Sequence, residues 1–130
     1  NRPDGAWLGR VSDGAVAPDG SFVVISGPSD RGSRGPAFAC VYSNAAEPIA
    51  TLPVPVDTTM VRVAFNGRTV ALTSQSEVFL LSLDGGATRR FALPKEEGLQ
   101  DYWYLLSSAD GKELLANRAM TTELLRYAFD

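Results

Sequence analysis

The chain is 130 residues long and 45% apolar, enough to bury a core of single-domain size and too apolar for a disordered tail. Its 15 acidic and 12 basic residues give a formal net charge of −3, and the arginines are scattered from Arg2 to Arg126, which argues against the basic stripe of a nucleic-acid binder. Histidine is absent, which removes the commonest general base, the commonest zinc ligand and any Ser-His or Cys-His nucleophile pair.

Along the chain, residues 6–10 read as a lone strand carrying Trp7. The segment Val16-Ala17-Pro18-Asp19-Gly20-Ser21-Phe22-Val23-Val24-Ile25-Ser26 then has two echoes, one from Val63 to Thr73 through Asn66-Gly67 and one from Ser107 to Asn117 through Asp110-Gly111. The turn glycines Gly20, Gly67 and Gly111 are 47 and 44 residues apart. Four-stranded repeat units recur at about 40 to 50 residues. Asp-Gly and Asn-Gly supply the positive φ angles of two-residue hairpin turns, and the flanking apolar, β-branched runs are strands. A third strand follows in each copy, at 37–43, 77–83 and 123–129, and a fourth at 48–52 and 88–93, each ended by a proline that cannot donate to a ladder. The tally is one, four, four and three strands, with no sustained helical periodicity; the stretch 120–127 fits a strand better than a helix. Cys40, the single cysteine, has no partner for an internal disulfide and reads as a small buried thiol in the run 37–42.

Pro18-Asp19-Gly20 before an apolar strand, and Val78-Phe79-Leu80-Leu81-Ser82-Leu83-Asp84-Gly85-Gly86, resemble the blades of bacterial β-propellers of the TolB/PD40 and YVTN/WD40-like kind. The resemblance implies an all-β fold of about three four-stranded antiparallel blades, at 11–52, 60–93 and 102–130, with strand 6–10 ahead of them. The Trp-Asp and Gly-His pairs of eukaryotic WD40 repeats are missing. A ring normally closes with four to eight blades, so this segment is expected to be part of one. Either the remainder of a longer chain or a second copy, giving six blades, would complete it. A β-sandwich is the reading if the repeats are accidental.

No metal loop of the Asp-x-Asp-x-Asp-Gly type occurs, no cofactor motif is present, and the adjacent carboxylates Glu96 and Glu97 read as a solvated loop. No catalytic constellation is expected. The stretch 27–36 is an insertion: Gly20 to Ala39 spans 19 residues, against 11 from Gly67 to Val78 and 13 from Gly111 to Leu124. In a meander this loop shares a face with the connections at 53–59 and 94–101, while the Asp-Gly turns lie opposite. Loops on a rigid scaffold are where binding concentrates, and Arg31, Arg34, Asp57, Lys95 and Tyr102 are the candidate contacts on that face, the alternative for the insertion being a passive Gly/Ser/Pro linker. In Tyr102-Trp103-Tyr104, alternation sends Trp103 to one face and both tyrosines to the other. Arg89 and Arg90 fall on an outer strand, where charge blunts an edge.

These readings lead to a binding scaffold whose loop-bearing face contacts a protein or small ligand. The rival is a set of non-catalytic blades of a larger propeller hydrolase, peptidase or oxidoreductase. No apolar run approaches the roughly 20 residues of a membrane-spanning helix. The first residue, Asn1, is not methionine, so upstream segments are expected and the compartment is left open.

Overall fold

The computed structural model describes residues 10–27, 36–55, 61–98 and 102–129. Among them there is no helix and there are eleven strands in three antiparallel sheets. The first sheet is β1 (Arg10–Val16), β2 (Phe22–Gly27), β3 (Phe38–Tyr42) and β4 (Pro48–Pro53). The middle sheet is β5 (Arg62–Phe65), β6 (Thr69–Ser74), β7 (Glu77–Ser82) and β8 (Arg89–Ala92). The third is β9 (Trp103–Ser107), β10 (Glu113–Arg118) and β11 (Leu124–Ala128). Strand order follows chain order in every sheet, so each is a meander. The all-β class and the four, four and three strands expected of the copies are present. Of the expected lone strand 6–10, only Arg10 lies within the described residues, where it opens β1.

The three copies use turns of the same chemistry and different length, and only the middle one is the two-residue turn expected of all three. Ala17 N–H bonds Ser21 O across three residues, Asn66 N–H bonds Thr69 O across two, and Ser108 N–H bonds Glu113 O across four. Gly20, Gly67 and Gly111 take φ of 87°, 101° and 73°, the left-handed region where a side chain is strained. The odd turn has a consequence, because strand side chains alternate with period two. Val70 and Leu72 of the middle sheet face the sheet before it, and so do Leu114 and Ala116 of the third. Their counterparts after Gly20, Val23 and Ile25, face the sheet after it.

Two apolar cores result. In one, Val23, Ile25 and Val41 meet Phe65, Val70, Leu72 and Phe79. In the other, Ala71, Val78 and Leu80 from the opposite face of the middle sheet meet Trp103, Leu105 and Leu114. The middle sheet is thus covered on both faces, and β6 is buried at five successive residues, Thr69 to Thr73, whereas β10 alternates. Each large side chain so buried contributes about 1.5–3 kcal/mol relative to exposure. Cys40 is fully buried, as expected, on the first sheet's other face, its Sγ 3.5 Å from Ser26 Oγ.

The third sheet is tied to the second by a buried cation. Arg118, fully buried at the end of β10, donates from Nη2 to Pro94 O at 2.6 Å and from Nε to Glu123 Oε2 at 3.0 Å, and its guanidinium carbon lies 4.5 Å from the centre of the Trp103 ring. Pro94 follows β8, so this side chain fixes the connection between the two sheets. Trp103 is buried while Tyr102 and Tyr104 are exposed, the alternation expected of that triplet.

The turn aspartates carry an acid dependence. Asp19, Asp84 and Asp110 each accept a hydroxyl hydrogen bond from the serine two residues away, Ser21, Ser82 and Ser108. Each also accepts a main-chain N–H, from Ser21, Gly86 and Lys112. The serine hydroxyls first, and the main-chain donors second, hold the three carboxyls below the ordinary aspartate range. A carboxyl depressed on folding stabilises the fold above its unfolded value, about 3.9, and that contribution is lost as pH falls through the depressed value. Thermal midpoints should therefore drop on acidification below about pH 4. The Asp19→Asn, Asp84→Asn, Asp110→Asn triple variant should lose less stability over that window; an unchanged acid dependence would refute the turn carboxylates as a source.

Candidate functional site

The first strand of each sheet is an edge strand, and the three edges face a common groove. An open space of about 510 Å³ lies between Gly14–Pro18, 63–65 and 105–109. A second space of about 240 Å³ shares Gly14, Val63, Leu105 and Leu106 with it and extends to Asp13, Arg62 and Tyr104. The groove therefore runs along the inner strands from the glycine turns to the opposite end.

At the turn end the three hairpins meet. Asn66 Nδ2 donates to Gly111 O at 2.9 Å. A Cβ added to Gly67 would stand 3.1 Å from Asp19 Oδ2, and one on Gly111 would stand 3.8 Å from Pro18 Cγ. The glycines thus serve close approach between hairpins as well as turn geometry.

At the other end one residue from each inner strand forms a line. In β1 the pairing steps from Val11 opposite Ser26 to Asp13 opposite Ile25, leaving Ser12 as an extra residue. This bulge aims Asp13 at the middle sheet. Asp13 Oδ2 accepts the Val63 N–H at 3.0 Å, and Oδ1 lies 3.8 Å from Arg62 Nη1. The Arg62 guanidinium carbon lies 5.1 Å from the Tyr102 ring centre and 5.3 Å from that of Tyr104. The two rings stand edge to face, 5.3 Å apart with planes at 79°. The contacts of Asp13 with the middle sheet and of Arg62 with the two rings cross from one sheet to the next. Cation–π contacts of this kind are worth about 0.5–1 kcal/mol at exposed sites, so the two rings orient the guanidinium more than they stabilise the fold.

No protein-family model matches the chain, and neither does any curated protein. The site therefore rests on its geometry alone. Of the residues expected to carry binding, Tyr102 belongs to the cluster. Lys95 is exposed on the connection after β8 and does not line the groove. Arg31, Arg34 and Asp57, together with Trp7, lie outside the described residues. Glu96 and Glu97 are exposed. Asp13 and Arg62 went unnoticed in the sequence; both lie on the first strand of a copy, but an overlay of the copies on Gly20, Gly67 and Gly111 sets Asp13 and Tyr104 level with Met60 and not with Arg62. Among the described residues no three His, Cys, Asp or Glu side chains converge as metal ligands, and no helix is long and apolar enough to cross a membrane.

Proposed function

We propose that the chain is a binding scaffold built of β-propeller blades, which contacts a protein or small ligand at the loop-bearing end of the groove. One observation carries this reading: three meanders in succession pack face to face with their first strands around one groove. Blades about a propeller axis are disposed in a like manner, which supports the reading. The exposed apolar residues Leu106 and Leu124, at 63% and 55%, support further blades beyond the third sheet, from a longer chain or a second copy. Rigid strands that hold Asp13, Arg62 and Tyr104 together at one end of the groove, with Tyr102 just ahead of β9, suit recognition, since preorganised side chains lose little entropy on binding.

The test is an amide-resolved NMR titration of the isotope-labelled chain with short acidic, basic and apolar peptides and with oligosaccharides. Perturbed amides are expected on β1, β5 and β9 and around Arg62. Perturbation confined to the outer strands β4, β8 and β11, or none with any probe, would overturn the reading.

A further inference from the structure

Asn66-Gly67 is the one Asn-Gly pair of the chain; Asn1, Asn44 and Asn117 precede arginine or alanine. Asparagine before glycine is open to attack on its own side chain, because no Cβ on the next residue crowds the main-chain nitrogen as it approaches Cγ. Asp19, Asp84 and Asp110 also precede glycine at turns. Their carboxyls, held below the ordinary aspartate range by serine hydroxyls and main-chain donors, are ionised at neutral pH and present no leaving group. The neutral amide of Asn66 stays electrophilic there.

The fold holds this amide at both ends. Oδ1 accepts the main-chain N–H of Arg68 at 2.9 Å and of Thr69 at 2.8 Å, and Nδ2 donates to Gly111 O at 2.9 Å in the third sheet's hairpin. Hydrogen bonds to a carbonyl oxygen lie near the amide plane, whereas a nucleophile must come onto the face of the carbon. The bonds to Arg68 and Thr69 thus turn the edge of the amide, and not its face, towards the main chain that carries the Gly67 nitrogen. Swinging the face round breaks them, and the tie to Gly111 opposes that rotation while the middle and third hairpins stay together. Asn66 and Gly67 are both half-buried, so water reaches the turn when the hairpins part.

We infer that Asn66 is a self-modification site, guarded in the assembled structure and converted to aspartate or isoaspartate when the middle and third hairpins separate. The Gly67 main-chain nitrogen gives up its proton and bonds to Asn66 Cγ; the Cγ–Nδ2 bond breaks, and Nδ2 leaves as ammonia with that proton. Water then opens the cyclic imide, its hydroxyl going to the carbonyl carbon attacked and its hydrogen to the Gly67 nitrogen or, with that nitrogen still bound to Cγ, to the same atom. Opening at Cγ leaves aspartate. Opening at the Asn66 main-chain carbonyl leaves isoaspartate, whose main chain runs through Cβ and Cγ and lengthens the turn. Either product lacks the Nδ2 donor and sets a negative charge beside Gly111 O, so the hairpins no longer dock as before.

The test holds the chain at mildly alkaline pH, in buffer and in guanidinium chloride that unfolds it, and follows conversion by mass spectrometry of its peptides. Asn66 should convert ahead of Asn44 and Asn117, with isoaspartate among the products. It should do so at least about tenfold faster unfolded than folded, the ratio for a local opening free energy of about 1.4 kcal/mol. Asn66→Asp, which reproduces one product, should melt lower than the parent and shift the Lys112 amide resonance, whose peptide group contains Gly111 O. In the unfolded chain, conversion of Asn66 no faster than that of the other asparagines, or aspartate as the sole product, overturns the imide chemistry. Equal rates in buffer and denaturant overturn the guard, and an unshifted Lys112 amide in Asn66→Asp overturns the tie to the third sheet.

Discussion

Replacing Arg118 with alanine should lower the unfolding free energy by about 3–5 kcal/mol, measured from urea unfolding. The side chain is fully buried, so its removal opens a cavity beside Trp103 and leaves Pro94 O without the donor that now reaches it at 2.6 Å. Glu123 also loses its partner, although at 30% exposure that carboxylate can still draw on water. Single domains are stable by only about 5–15 kcal/mol, so this one change removes a large share. Arg118→Met separates the causes: it restores much of the volume, and the deficit remaining, about 1–3 kcal/mol, is the cost of the unmade hydrogen bonds. A loss below about 1 kcal/mol for the alanine variant would show that Arg118 does not tie the two sheets together.

The second large effect separates the covered sheet from the open one. Phe65→Ala empties a site that is 1% exposed between the first and middle sheets and should cost about 3–5 kcal/mol. Leu106→Ala, on the third sheet's outward face, should stay within about 0.5 kcal/mol. At roughly 3–4 °C per kcal/mol for a chain of this length, the Phe65 variant should melt more than about 10 °C lower and the Leu106 variant within about 2 °C of the parent. Comparable losses at the two positions would mean that the outward face of the third sheet is covered in solution.

Much of this architecture could be read from local chemistry. Asp19-Gly20, Asn66-Gly67 and Asp110-Gly111 marked three hairpins because positive φ needs such residues, and the alternation of Tyr102, Trp103 and Tyr104 placed the indole inside. Three features escaped for physical reasons. The β6–β7 turn has no glycine: Gln75 itself takes φ of 57°, which propensity argues against. Arginine is among the residues least often buried, so nothing near Arg118 announced that it would be enclosed by Glu123 from its own hairpin and Pro94 from the connection after β8. The candidate site draws one residue from each of three copies, and only packing of the sheets brings Asp13, Arg62 and Tyr104 together.

The three-residue turn between Ala17 and Ser21 bears on how a chain of this kind can diverge. Surface turns usually accept insertions cheaply, because loop entropy grows slowly with length. Here the parity of a turn decides which neighbour its sheet addresses, so gaining or losing one codon there would exchange the buried and outward faces of β2 and β3 unless a bulge absorbed the step, as at Ser12 in β1. Length drift in these hairpins is thereby favoured in steps of two, and a lineage that changes by one must either rewrite both faces of the following strands or install a bulge.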